Sequence, residues 1–461
     1  MEQTKFEKNL VKGSVVKQLL MFAIPFIISN VIQSLYSVAD MIIVGQFAGT
    51  ASMSGVNIGG QVIFVLTNII FGLCAGATVL IGQYLGSGER ENVRQTVATL
   101  FTLLLISAVV LSGIMLIFRN QALELILTPE ESYSEALAYL TITALGTIFI
   151  FGYNAFSAVM RGMGDSKRPL IFVTIACVTN VFLDLLFVGV FHWDAAGAAI
   201  ATVISQAISM LLCIIYFKRN NFIFDFKPKS FRIYKARFGV LMKIGIPTSV
   251  QNVVTSVSFM AITTMVNTFG VTASAAVGAV GKLNMFAILP AIAVSSSISA
   301  MSAQNIGAGE IGRAKKTMLT GMGLAFVMSA VIFVIVQLFP EQLLRVFSDD
   351  EGLLEEGARY LRYVSFDYLI APVMFSFNGL FIGAGHTMFA LINSLMSSIL
   401  IRVPVAYILG IALDMGIKGL GLGIPAATIL TLSISIWYFL SGKWKSSKVV
   451  KYKIEVDLDM G

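Results

Sequence analysis

The apolar residues of this chain fall into long blocks cut by short polar segments. A helix of roughly 20 mostly apolar residues crosses a ~30 Å hydrocarbon core, at ~1.5 Å per residue. Twelve such blocks lie near residues 19–46, 56–83, 95–118, 135–158, 169–191, 195–217, 240–269, 279–303, 317–339, 357–382, 388–413 and 418–441. The pattern predicts an all-α, multi-pass integral membrane protein of twelve transmembrane helices. The basic stretch before Lys17 carries no usual cleavage site, so the first block reads as a retained helix and not a signal peptide.

The blocks repeat. Ala23-Ile24-Pro25 opens the first and Gly245-Ile246-Pro247 the seventh, with Asn30 and Asn252 following at equal distance. Gln83-Tyr84-Leu85-Gly86-Ser87-Gly88-Glu89 follows the second, and Gln304-Asn305-Ile306-Gly307-Ala308-Gly309-Glu310 the eighth. Gly162-Met163-Gly164-Asp165 is matched by Gly383-Ala384-Gly385-His386. The offset stays at 221–222 residues. Six is an even number of crossings, so both copies enter from the same face. Two six-helix bundles related by a pseudo-two-fold axis along the membrane normal are expected, as in parallel-repeat transporters. The expected division is an N-terminal lobe at 1–217, a basic linker at 218–239, and a C-terminal lobe with a basic tail at 240–461. The Gly-x-Gly segments follow no strand and read as tight turns using positive φ, not as phosphate cradles.

Composition agrees. Apolar residues make up 57% of the chain and charged residues 12%, against roughly 25% charged in soluble domains. Such a chain cannot cover a water-facing surface of its size. The net charge of +7 is explained by where it lies. The termini and the loops on their side carry 25 Lys/Arg and the opposite loops 6, with Arg402 inside a block. By the positive-inside rule both termini face the cytoplasm. The charge then faces anionic lipid, and nucleic acid is not an expected partner. Cys74, Cys177 and Cys213 all sit in apolar stretches without metal or disulfide spacing, and only His192 and His386 are present. No cofactor, no catalytic residues and no enzymatic signature are expected.

A carboxylate near the bilayer centre costs roughly 2.5–3.5 kcal/mol on insertion scales. Asp40, Asp184 and, near the end of block ten, Asp367 carry that cost. Asp40 and Asp184 should both lie ~6–11 Å inside the outer boundary. Asn180 is one turn before Asp184, and Tyr139 and Thr202 reach a similar depth from their own blocks. Burial favours the neutral form of a carboxyl group, and a nearby carboxylate favours it further for one of a pair. Asp40, Tyr139, Asn180, Asp184 and Thr202 are therefore the candidate cation-coupling residues. They suit either H+ or, through Asp40, Asp184 and Asn180, Na+. The alternative is that each acid merely caps a helix end, bonds backbone or faces water near the interface, which is the reading taken for Asp367. The second half has Ile262 at the position of Asp40 and Val405 at that of Asp184. Arg402 either pairs within its lobe or points to a cavity.

These residues resemble the MATE family, the multidrug and toxic compound extrusion transporters. The resemblance rests on Ile24-Pro25, Ser37-Val38-Ala39-Asp40, Gln83-Tyr84-Leu85-Gly86 and Arg161-Gly162-Met163-Gly164-Asp165-Ser166 with Pro169. It continues in Asn180-Val181-Phe182-Leu183-Asp184 and Gly197-Ala198-Ala199-Ile200-Ala201-Thr202. It implies a V-shaped pair of bundles at the plasma membrane, exporting amphipathic, often cationic small molecules against an inward H+ or Na+ gradient. It also implies the DinF-type branch, because the NorM-type branch carries second-half acids where Thr255 and Met374 stand here. A monomer in the lipid bilayer is expected. The alternative is a flippase for a lipid-linked precursor, which calls for a basic central cavity. Arg402 is nearly alone as an intramembrane base.

Overall fold

The computed structural model describes residues 7–220 and 222–450, and among them all regular structure is helical. In chain order the first half holds α1 (Val15–Phe47), α2 (Gly49–Gly86), α3 (Arg90–Leu125), α4 (Glu130–Leu145), α5 (Thr147–Gly162), α6 (Lys167–Asp184) and α7 (Asp194–Arg219). The second holds α8 (Lys235–Asn267), α9 (Val271–Gly307), α10 (Ile311–Leu338), the short α11 (Pro340–Leu344), α12 (Glu351–Val364), α13 (Asp367–Gly383), α14 (Thr387–Leu395), α15 (Val403–Tyr407) and α16 (Ile417–Leu440). Ten helical spans are long and apolar enough to cross a membrane, and the bent pairs α4–α5 and α12–α13 raise this to twelve. The expected all-α membrane fold with two repeated halves is what forms.

Proline sets the entry of each half. Pro25 in α1 and Pro247 in α8 lack an N–H, so the carbonyl four residues back loses its helical donor. In each half a hydroxyl from the turn after the fourth span takes the place of that donor. Ser166 donates to Met21 O at 3.5 Å, and Thr387 donates to Lys243 O at 3.4 Å. The turns themselves are built as expected, with Gly164 at φ +86° and Gly385 at φ +84°.

The fourth span of each half is broken, which hydropathy did not reveal. It bends by 53° between α4 and α5 and by 42° between α12 and α13. Local hydroxyl and amide groups take up the carbonyls that a break releases. Thr147 donates to Ala144 O at 2.5 Å, and Ser112 of α3 reaches the same oxygen. At the second break Arg362 O accepts from Ser365 Oγ and Gln337 Nε2, both at 2.9 Å.

π-helical turns interrupt the fifth spans. Residues Leu185–Val190 follow α6, and Ile408–Ala412 follow α15 as their counterpart. A further π turn, Met396–Arg402, has no equivalent in the first half. A π turn accommodates an extra residue in a helix, and the repeat offset moves from 221 before it to 222 after it. Gly197 packs on Phe187 as Gly419 packs on Leu409. Ala406, not Val405, therefore stands where Asp184 does, and Arg402 stands where Asn180 does.

The halves meet toward the end that carries the chain termini. Gly86 and Gly307 let α2 and α9 cross there, since a Cβ on either would strike the backbone oxygen of Gln304 or Gln83 respectively. Further along α2, Gly72 fits against Ser249 of α8, whose hydroxyl donates to Ile69 O at 2.7 Å. Every hydrogen bond found between the halves, among the described residues, lies from this level toward the terminal face. Beyond it each half packs on itself: Gly55 and Gly59 of α2 against α4, and Ser258 of α8 against the extra π turn through Ser398 O at 2.7 Å. The connector is less solvated than its charge suggests. Phe222 and Phe224 are buried, and the Phe224 ring lies 5.4 Å from Phe101 and 5.2 Å from Phe231.

Candidate cation site

The N-terminal half gathers its polar side chains around two aspartates. Asp40 comes from α1, Tyr139 from α4, Asn180 and Asp184 from α6, and Thr202 from α7. Glycine on α2 gives the tyrosine its room: a Cβ at Gly59 would come within 2.9 Å of the Tyr139 ring. Glu135, one turn before Tyr139, accepts from Ala195 N at 3.1 Å and so ties α4 to the first turn of α7. Asp184 ends α6 at the start of the π turn Leu185–Val190, where the fifth span changes pitch.

The five residues proposed from sequence do meet. The Asp40 and Asp184 carboxyl groups are within hydrogen-bonding reach of each other. Tyr139 faces both and has its hydroxyl within reach of Thr202. Asn180 Nδ2 lies 3.5 Å from Thr202 Oγ1. Asp184 is 0% exposed, Asn180 1% and Asp40 8%. Tyr36 lies close to the cluster, near enough for the charges of Asp40 and Asp184 to act on its hydroxyl. It stands four residues before Asp40, one turn away on the same helix face, and that spacing was available in the sequence.

What sets this cluster apart is its shortage of donors. Asp40 Oδ1, Asn180 Oδ1 and both Asp184 carboxyl oxygens are buried without a hydrogen-bond partner among the described residues. Ionised carboxylates only accept, so two of them cannot bond each other until one takes a proton or a cation lies between. A buried, acceptor-rich cluster without a fixed counter-charge is suited to H+ or to a hard cation that prefers oxygen. A cavity of about 130 Å3 touches it at Tyr36 and Asn180, and is lined otherwise by Gln33, Asn154 and Gln206 together with apolar side chains such as Phe71 and Val173.

The second half is built differently. Its acid, Asp367, begins α13 directly after the bend and is only 8% exposed. Of the roles expected of it, a place at a helix end is kept, while burial leaves it little contact with water. The Thr428 hydroxyl lies within reach of its carboxyl group, and its charge faces Arg402. Arg402 is 8% exposed and stacks its guanidinium 4.7 Å above the Phe259 ring. Thr255 Oγ1 bonds Gln251 O at 3.0 Å and approaches Ser394 Oγ at 3.4 Å, away from any acid cluster.

Known proteins share this architecture along nearly its full length. The chain matches the MatE family over residues 25–186 and again over 247–408, the two halves of the repeat. It is 29% identical to a probable multidrug resistance protein of Bacillus subtilis, YpnP, covering 96% of this chain and 99% of the relative. A probable multidrug resistance protein of Thermotoga maritima, NorM, is 27% identical and covered to 94%, as is this chain. Among solved structures, the outward-facing conformation of a multidrug resistance MATE family transporter superposes with a TM-score of 0.89. It is 21% identical, over 95% of this chain and 98% of that one.

Proposed function

Since the chain belongs to the MATE family of membrane transporters, we propose that it exports amphipathic, often cationic small molecules in exchange for inward H+ or Na+. The observation that carries this reading is the buried Asp40–Asp184 pair, rich in acceptors and without a fixed positive partner. Multidrug resistance in the names of full-length relatives supports the substrate class.

The cycle follows from the architecture. Residues 1–217 and 240–461 act as the two rocking bodies, joined by 218–239. With 25 Lys/Arg on the terminal face, that face is cytoplasmic at the plasma membrane. The seam at Gly86 and Gly307 is then the closed inner gate, and the molecule is outward-open. An ion entering from outside binds Asp40 and Asp184, removes their mutual repulsion and draws α1 toward α6. The first half tightens and substrate leaves outward. Acids in the first half, with Ile262, Thr255 and Met374 in the second, favour the DinF-type branch. A monomer suffices, because both halves of the pathway lie in one chain. A lipid-precursor flippase is not favoured: Arg402 is packed against Phe259 and provides no broad basic cavity.

The test is efflux of a fluorescent cationic dye from proteoliposomes under separate Na+ and pH gradients. Export driven by one gradient and lost in Asp40→Asn and Asp184→Asn is the expected result. Full export by both folded variants would remove the acid pair from the mechanism.

A further inference from the structure

The extra π turn makes a closer comparison of the halves possible. With an offset of 222 between α1 and α8, where Pro25 matches Pro247, and 222 again from the end of Met396–Arg402, the first-half cluster maps residue by residue onto the second. Tyr36 becomes Ser258, Asp40 becomes Ile262, Asn180 becomes Arg402 and Asp184 becomes Ala406; Tyr139, ahead of the bulge at offset 221, becomes Tyr360. One tyrosine is kept, two acids are replaced by buried apolar residues, and an amide is replaced by a cation. Ile262 is 2% exposed and Ala406 0%.

Arg402 is thus a positive charge at the second-half counterpart of a site suited to binding one. Asp367 and Tyr360 are near enough for their charges to act on its guanidinium, without forming an ion pair with it among the described residues. The ring of Phe259 supports it from below, an arrangement favourable to a desolvated cation. It is not consumed by a structural ion pair. Arg402 Nε and Nη1 and Asp367 Oδ1 are all buried without a hydrogen-bond partner among the described residues. A buried arginine held mainly by a ring and a facing acid is a costly choice for packing alone.

We propose that Arg402 is a tethered cation, holding in the second half the place that the coupling ion takes in the first, with Asp367 as its counter-charge. The second half then keeps one ionic state through the whole cycle, and only the first half responds to the ion gradient. This rests on the coupling role given to Asp40 and Asp184. It also makes Arg402 a residue that fixes the number of ions exchanged per substrate.

The test counts ions on the purified, folded protein. Proton uptake is read with a pH-indicator dye in weakly buffered detergent solution, and Na+ binding by equilibrium dialysis. Arg402→Asn, which installs the first-half residue, is expected to gain a binding event, because Asp367 loses its counter-charge. Adding Asp367→Asn is expected to abolish the gain, and Arg402→Lys to keep the wild-type count. Arg402→Gln is the second neutral variant, used if Arg402→Asn does not run as a monodisperse species. An unchanged count in the neutral variants, or a gain that survives Asp367→Asn, would overturn the proposal. The counts are repeated on an Asp40→Asn, Asp184→Asn background. If that background leaves the wild-type count unaltered, the first-half reading fails, while the gain in the Arg402 variants still tests the second half by itself.

Discussion

Gln83 and Gln304 make the same hydrogen bond in opposite directions across the seam between the halves. Gln83 Nε2 donates to Gly383 O at 2.7 Å, and Gln304 Nε2 donates to Gly162 O at 3.2 Å. Each therefore satisfies the carbonyl at the end of the other half's fourth span. Their own carbonyl oxygens are taken up by the chain ends. Ser447 Oγ donates to Gln83 Oε1 at 2.6 Å, and Leu10 N donates to Gln304 Oε1 at 3.1 Å. The N-terminal segment and the tail are thus part of the seam, the former also through Leu10 O, which accepts from the Arg313 guanidinium at 3.2 Å.

Opening toward the terminal face must break both bonds, so removing them should favour that opening. Gln83→Ala and Gln304→Ala each leave buried carbonyls unpartnered, at a cost of ~1–3 kcal/mol. Distances between spin labels placed across the seam are expected to lengthen in each variant and further in the double variant. Gly307→Ala should do the same by clash, since its Cβ would meet Gln83 O. Unchanged distance distributions in all three would show that the seam is held elsewhere.

Within the cation site, Asn180 is expected to tune affinity and not to decide transport. Asn180→Leu removes one oxygen acceptor beside Asp184 while keeping similar bulk. Loss of one interaction with a charged ligand costs roughly 1.5–3 kcal/mol, or about tenfold to a hundredfold in ion affinity. The gradient needed for half-maximal dye export should rise by that factor, with the maximal rate largely kept. Loss of maximal rate at unchanged half-saturation would place Asn180 outside the ion site.

Much of this was legible because a membrane span needs apolar length, and duplicated halves repeat their Pro, Gly and Gln positions. The meeting of Asp40 with Asp184 was legible because intramembrane acids are few. Three features were not. The bend at Gly146 lies inside an apolar block and that at Ser365 inside one that still reads as a single span, and their cause is which neighbouring hydroxyl or amide can adopt the freed carbonyl. The π turn Met396–Arg402 leaves no compositional mark, yet it shifts the register by one and moves the counterpart of Asp184 from Val405 to Ala406. The basic connector hides its buried Phe222 and Phe224 among lysines.

The first of these bends is open to direct test. Gly146 packs on Val203, and any Cβ at position 146 would collide with that side chain. Overpacking of this kind costs typically ~1–3 kcal/mol. Gly146→Val is expected to lower the thermal unfolding midpoint in detergent, and Gly146→Val with Val203→Ala to recover most of the loss. Failure of the second substitution to rescue would mean that position 146 is needed for its backbone and not for its space.

His386 stands where the first half has Asp165, and it holds the tail instead of an ion pair. Its Nδ1 lies 2.6 Å from Tyr438 OH and its Nε2 2.8 Å from Ser446 O. Ser446 O can only accept, so Nε2 carries the hydrogen and Nδ1 accepts from the tyrosine. Burial holds the imidazole below its usual range; Lys448 nearby adds to this, and the Ser446 carbonyl opposes it. A histidine whose value is depressed in the docked state resists protonation there. The undocked form, titrating near 6.5, takes up a proton that the docked form refuses. Docking of residues 446–450 is therefore fully stable above about pH 6.5 and weakens as pH falls below it, by up to ~1.4 kcal/mol per unit until the docked value is reached. Amide exchange of this segment, followed from about pH 7.5 to 5.5 and corrected for intrinsic rates, should show protection falling with acidification. His386→Gln, which has no charge to gain, should make the profile flat. Protection that is independent of pH in the wild type would show that the tail is held by Gln83 and Ala384 alone.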